Sequence, residues 1–135
     1  MFKRILVAVD LDQPQVNARV IDCALAVAGE ESLIQLLTVV PRLGGSMVTS
    51  FLPMNYEKKA LEHAQAALHQ FSERALAGRK VKHFVAHGSI YEEISRIARE
   101  QNSDILVLGS GKNPIIGPNS ARVMRYCPKP VLIAR

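Results

Sequence analysis

Long apolar runs, paired cysteines, linker sequence and catalytic spacings are all missing from this chain, and each absence removes a class of protein. No stretch approaches the roughly 20 apolar residues that cross a bilayer. Met1-Phe2-Lys3-Arg4 is followed by only five apolar residues, Ile5 to Val9, before Asp10. Neither a secretory signal nor a membrane anchor is expected, and the chain reads as cytoplasmic. The two cysteines, Cys23 and Cys127, fall in expected helices far apart in sequence, with no second Cys or His at ligand spacing. They read as reduced, packed thiols. His63 and His69 lie six apart on one expected helix, where a shared ligand needs i to i+4, and His83 and His87 flank an expected strand. No metal site is expected from them. No nucleophile and base stand at hydrolase-like spacing and no carboxylate pair marks an acid–base centre, so no catalytic residue is assigned. A Walker A loop is also absent, because Gly111-Lys112 is followed by Asn113 and Leu106 stands at the leading glycine position.

What is present is enough for one folded domain. The chain has 135 residues, 48% of them hydrophobic and 21% charged, which suffices to bury a core. The formal net charge is +5. Lys and Arg are spread along the chain with Asp and Glu interleaved, a pattern that disfavours a nucleic-acid partner.

Two periodicities alternate. Ile5 to Val9, Leu33 to Val40, Val81 to Ala86, Ile105 to Leu108 and Val131 to Ala134 are short runs rich in β-branched residues, the pattern of strands buried on both faces. Between them, Val16 to Ala28, Tyr56 to Ala77, Ile90 to Glu100 and Asn119 to Tyr126 carry helical stripes. The resulting βαβαβαβαβ order predicts a mainly parallel sheet with right-handed crossovers and helices on both faces. Pro41 to Asn55, with Gly44, Gly45 and Pro53, is the one long irregular stretch and reads as a mobile flap.

In such a sheet the ligand crevice lies beyond the carboxyl ends of the strands. Those ends are Asp10, Val39 with Val40, Gly88, and Gly109 with Ser110. The fourth is the most informative: the apolar run Ile105-Leu106-Val107-Leu108 passes directly into Gly109-Ser110-Gly111-Lys112. Small residues there expose backbone N–H groups, and Lys112 adds an ammonium, a combination suited to phosphate. Blander roles compete. Asp10 is equally readable as a residue that only accepts N–H bonds from the turn through Pro14 and caps the first helix with Asp12, and Gly109 and Gly111 as residues that only permit a tight turn.

The opening Met1-Phe2-Lys3-Arg4-Ile5-Leu6-Val7-Ala8-Val9-Asp10, the strand end Leu37-Thr38-Val39-Val40-Pro41, Gly88-Ser89 before a helix, Ser103 to Ser110, and the closing Pro130 to Arg135 together resemble the universal stress protein family. The resemblance runs the whole length. It implies a flavodoxin-like, five-stranded parallel sheet of order 3-2-1-4-5, a stress-related cytoplasmic role, and ATP binding in some members. Nucleotide-binding members carry Gly-x-x-Gly, nine residues, then Gly followed by Ser or Thr. Carried over, Asp10 and the Val39 backbone would contact a nucleoside, and Gly109, Gly111, Lys112, Gly117 and Ser120 would surround phosphates.

This chain departs from that pattern in three ways. Lys112 occupies the second glycine position, the stretch between Gly109 and Gly117 is seven residues where the family has twelve, and Pro118 replaces the hydroxyl residue. Proline has neither N–H nor hydroxyl, so two possible donors vanish together. At about 1.5–3 kcal/mol per charge-assisted bond, that weakens triphosphate binding by about two to four decades. Ser120 is left as a hydroxyl one turn into the helix. Two expectations follow: a dimeric stress-response protein that acts on an unknown protein partner and whose crevice is degraded, with no cofactor, or a module that binds ATP or AMP. The apolar edge strand at Val131, Leu132 and Ile133 predicts a homodimer in either case, since pairing it with its own copy removes an exposed edge.

Overall fold

A computed structural model describes residues 2–41, 56–110 and 117–135. The expected flap therefore lies almost wholly outside the described residues, as do Gly111 and Lys112. The element order is β1 (Phe2–Ala8), α1 (Pro14–Val27), β2 (Ala28–Val40), α2 (Tyr56–Ala75), β3 (Lys80–His87), α3 (Ile90–Glu100), β4 (Ile105–Gly109), α4 (Pro118–Tyr126) and β5 (Val131–Ala134). The five strands form one sheet in the order β3-β2-β1-β4-β5, every neighbouring pair parallel. This is the flavodoxin-like architecture that the sequence resemblance implies.

Strand alternation divides the core in two. Ile5 and Val7 of β1, Ile34 and Leu36 of β2, and Ile105 and Val107 of β4 face Val20, Ile21 and Ala24 of α1 and Leu68 of α2. The alternate residues Leu6, Leu37 and Leu106 face Ile94, Ile97 and Ala98 of α3 and Val123 of α4. Helices thus cover both faces, which is why the central strands read as continuous apolar runs.

Most element boundaries differ from expectation by a few residues, and three placements have a clear physical reason or consequence. β2 begins at Ala28, directly at the end of α1, five residues before the apolar run at Leu33. Pairing of Phe2 with Ala28 extends the strand across a register shift, and the Ser32 hydroxyl donates to the Phe2 carbonyl while accepting the Gly29 N–H. Tertiary bonding thereby overrides the polar Gly29-Glu30-Glu31 sequence. β3 is one residue longer at each end than the run Val81 to Ala86, so His87 lies within the strand, as His83 does inside that run, and neither flanks it. Cys127 is the C-cap of α4, not a helical residue, with extended backbone (φ −89°, ψ 125°). Pro128 follows it and disfavours the helical region at the preceding position.

Candidate functional site

Three strand ends meet above the sheet: the turn after β1, the end of β2, and the turn between β4 and α4. A crevice of about 640 Å³ opens there, and Asp10, Val39, Gly109, Gly117 and Ser120 all line it. The size falls in the range of small-molecule sites. The five expected site residues that are described thus share one cavity, although they come from four separate parts of the chain.

The β1–α1 corner is densely bonded. Asn17, on the first turns of α1, is 2% exposed. Its Oδ1 accepts the Asp10 N–H at 3.1 Å and its Nδ2 donates to the Asp10 carbonyl at 2.6 Å. That carbonyl also accepts the Gln13 N–H at 2.9 Å. The Asp10 carboxylate accepts from the Asp12 N–H at 3.0 Å through Oδ1 and from Gln13 Nε2 at 3.2 Å through Oδ2. Asp10 therefore stabilises its own turn, while the N-cap of α1 is Gln13, which makes no side-chain capping bond. The carboxylate remains exposed and has lone pairs for a further donor. Thr38 secures the floor next to it, its hydroxyl donating to the Val9 carbonyl at 3.0 Å. Asn17 was not among the expected site residues. Its signal in the sequence is a single amide side chain beside the apolar stripe of Val16, Val20 and Ala24.

Among the described residues, the β4–α4 corner turns two of its donors on itself. Ser110, at the end of β4, accepts the Gly117 N–H on its carbonyl at 3.1 Å. The Ser120 hydroxyl donates to the Gly109 carbonyl at 2.8 Å, tying the end of β4 to the first turn of α4. Pro118 occupies the first helical position, and the first intrahelical bond runs from the Ala121 N–H to the Gly117 carbonyl. By helix geometry, only the N–H groups of Asn119 and Ser120 are left without a carbonyl one turn back. Asn119 and Ser120 both line the crevice, at the positive end of the helix, where N–H groups of this kind suit an anion.

His63, from α2, lines the same crevice. The other histidines come together where the sequence separates them: the rings of His69 and His83 stack at 3.8 Å between α2 and β3. Burial, and then the neighbouring His69, hold the His83 imidazole below its ordinary value of 6.5. Among the described residues there is no group of three or more His, Cys, Asp or Glu side chains able to hold a metal, and no helix is long and apolar enough to cross a membrane.

Comparison with known proteins places this geometry. The chain is 27% identical over 146 residues to universal stress protein G of Shigella flexneri, covering 100% of both. In fold it is similar to a universal stress protein solved in complex with cAMP, with a TM-score of 0.67, 19% identity and coverage of 99% of this chain and 97% of that one. It is also similar to the universal stress protein from Archaeoglobus fulgidus in complex with dAMP, with a TM-score of 0.61, 19% identity and coverage of 98% and 97%. A family model described as the universal stress protein family matches residues 1–135, and the chain belongs to that family.

Proposed function

We propose that the crevice binds an adenine nucleoside monophosphate and discriminates against the triphosphate, and that the protein serves as a small nucleotide-responsive module of the stress response. The observation that carries this reading is made of the described residues at the start of α4: the Gly117 N–H and Ser120 hydroxyl bond the chain's own carbonyls, which leaves the N–H groups of Asn119 and Ser120. Two N–H groups at a helix N-terminus suit one phosphate. Three phosphoryl groups bring more charge than two neutral donors balance, and each missing charge-assisted bond costs about 1.5–3 kcal/mol. At the other end, Asp10 offers a fixed carboxylate to ribose hydroxyls, and Val9, Val39 and Ala64 offer apolar wall to a base. The cAMP and dAMP complexes of proteins with this fold support a ligand with one phosphate.

Calorimetric titration with AMP, and with ATP and Mg²⁺, tests the proposal. AMP is expected to bind at least about tenfold more tightly, the equivalent of one lost bond. Tighter binding of ATP, or adenosine triphosphate released in stoichiometric amount from the purified, denatured protein, refutes it.

We also propose a cytoplasmic homodimer joined through β5. That strand ends the sheet, and Val131, Leu132 and Ile133 on it are only half-buried. An apolar edge of this kind invites pairing. Replacing Leu132 by Lys is expected to halve the mass seen by light scattering, and an unchanged mass argues against the edge contact.

A further inference from the structure

We propose that the outer face of α4, with the first turn of α3, docks a short acidic segment of a protein partner. Among the described residues, two of the three exposed large hydrophobic side chains are on this helix, Met124 at 41% and Tyr126 at 63%. Scattered apolar side chains need no explanation, but Tyr126 is joined to its neighbours. The Arg122 guanidinium lies 5.7 Å from the centre of the Tyr91 ring, and that of Arg125 lies 5.7 Å from the Tyr126 ring. The two rings meet at 6.1 Å and 43°. Arg122, Tyr91, Tyr126 and Arg125 therefore form one connected surface.

Its two arginines have no ion pair among the described residues, although the first turn of α3 also carries Glu92 and Glu93. Among the described residues the ion pairs engage Lys80 with Glu31, and Arg96 with Glu93 and Glu100; neither Arg122 nor Arg125 has one. Arg96 on α3 shows the contrasting case of a guanidinium held by two carboxylates of its own helix. A guanidinium resting over an aromatic ring keeps its N–H fork available for a carboxylate, and part of its rotamer freedom is already lost before binding. Arg122 and Arg125 stand three residues apart, on one side of the helix, a spacing that suits two nearby acidic side chains.

A single-stranded nucleic acid fits less well. Its bases need open aromatic faces on which to stack, and here guanidinium groups already lie over the rings. A second copy of the chain fits less well too. The chain has two adjacent acidic pairs: Glu93 of Glu92-Glu93 is engaged by Arg96, and Glu30-Glu31 lies on β2 toward the opposite edge of the sheet, where Glu31 pairs with Lys80 of β3. Joining the two patches would be a head-to-tail contact with no twofold closure.

Fluorescence anisotropy with a fluorescein-labelled peptide of alternating glutamate and leucine tests the surface, with a lysine–leucine peptide and an oligothymidylate of matching charge as competitors. The acidic peptide is expected to bind, and the Arg122→Glu, Arg125→Glu double variant to weaken it by at least about tenfold. Tyr126→Ala should weaken it by a smaller factor. Lys58→Glu with Lys59→Glu on α2 makes the same change in net charge elsewhere, and should leave binding within about twofold of the parent after ionic screening. AMP titration and far-UV circular dichroism of each variant report on the crevice and the fold. The proposal is overturned if the peptide does not bind, if both double variants weaken it equally, if the oligothymidylate binds more tightly, or if the arginine variant converts a dimer to monomers in sedimentation.

Discussion

The two corners that face each other across the crevice are built on opposite principles. At the β1–α1 corner, Asn17 clamps the Asp10 backbone from both sides and the Asp10 carboxylate accepts two further bonds. At the β4–α4 corner, Gly117 and Ser120 direct their hydrogens back to Ser110 and Gly109, and Pro118 has none to offer. One side presents a fixed acceptor to a ligand, while the other, among the described residues, presents few donors. Preorganisation lowers the cost of binding on the first side, and scarcity limits how much negative charge the second can hold. The contrast implies a site that grips a nucleoside better than a polyphosphate.

Removing the clamp should have the largest effect. Asn17→Ala strips the Asp10 N–H and carbonyl of their side-chain partner in a buried position and is expected to cost about 1–3 kcal/mol of stability in urea unfolding. AMP affinity should fall by about tenfold or more, since the carboxylate is no longer held. If stability falls while AMP affinity does not, the β1–α1 corner has no part in binding.

The next test sharpens the comparison from the other side. Pro118→Ser restores one N–H and one hydroxyl at the start of α4, and should raise ATP affinity by about ten- to a hundredfold, with a smaller gain for AMP. The loss of proline at a position it favours costs the helix little. An unchanged ratio of ATP to AMP affinity would place the discrimination elsewhere than in the donor count.

The smallest effect concerns a polar group that lacks what Asn17 has. His83 Nε2 is buried with no hydrogen-bond partner, and the ring stacks on His69. Burial and His69 depress its folded pKa below 6.5. The folded protein then binds fewer protons than the unfolded chain in this window, so stability is undiminished above pH 6.5 and declines as pH falls through that value toward the folded pKa. His83→Phe should flatten the decline in urea midpoint between about pH 7 and about pH 5. An equally steep decline in the variant would mean that another group carries it.

Much of this arrangement was legible in the residues. Ile90–Glu100 and Val131–Ala134 have the boundaries that their patterns predict, because strong apolar periodicity there ends at Gly88-Ser89 and at Pro130. The crevice location follows from strand ends alone. The early start of β2 was not legible, since Glu30 and Glu31 carry no strand signal and are drawn in by pairing with Phe2 and by the Ser32 bonds. Nor were the Asn17 clamp and the His69–His83 stack. Both depend on where a helix is set against the sheet, which packing decides and local propensity does not.

The sequence by itself determined a parallel sheet covered by helices on both faces, because apolar runs without alternation can be buried only between two layers. It also determined that the start of α4 is poor in donors, since proline lacks an N–H in any fold. The direction of the remaining donors was decided by tertiary structure alone. Whether Gly117 and Ser120 point at a ligand or at the chain's own carbonyls depends on which acceptors the β4–α4 turn brings within about 3 Å, a distance that no spacing in the sequence specifies.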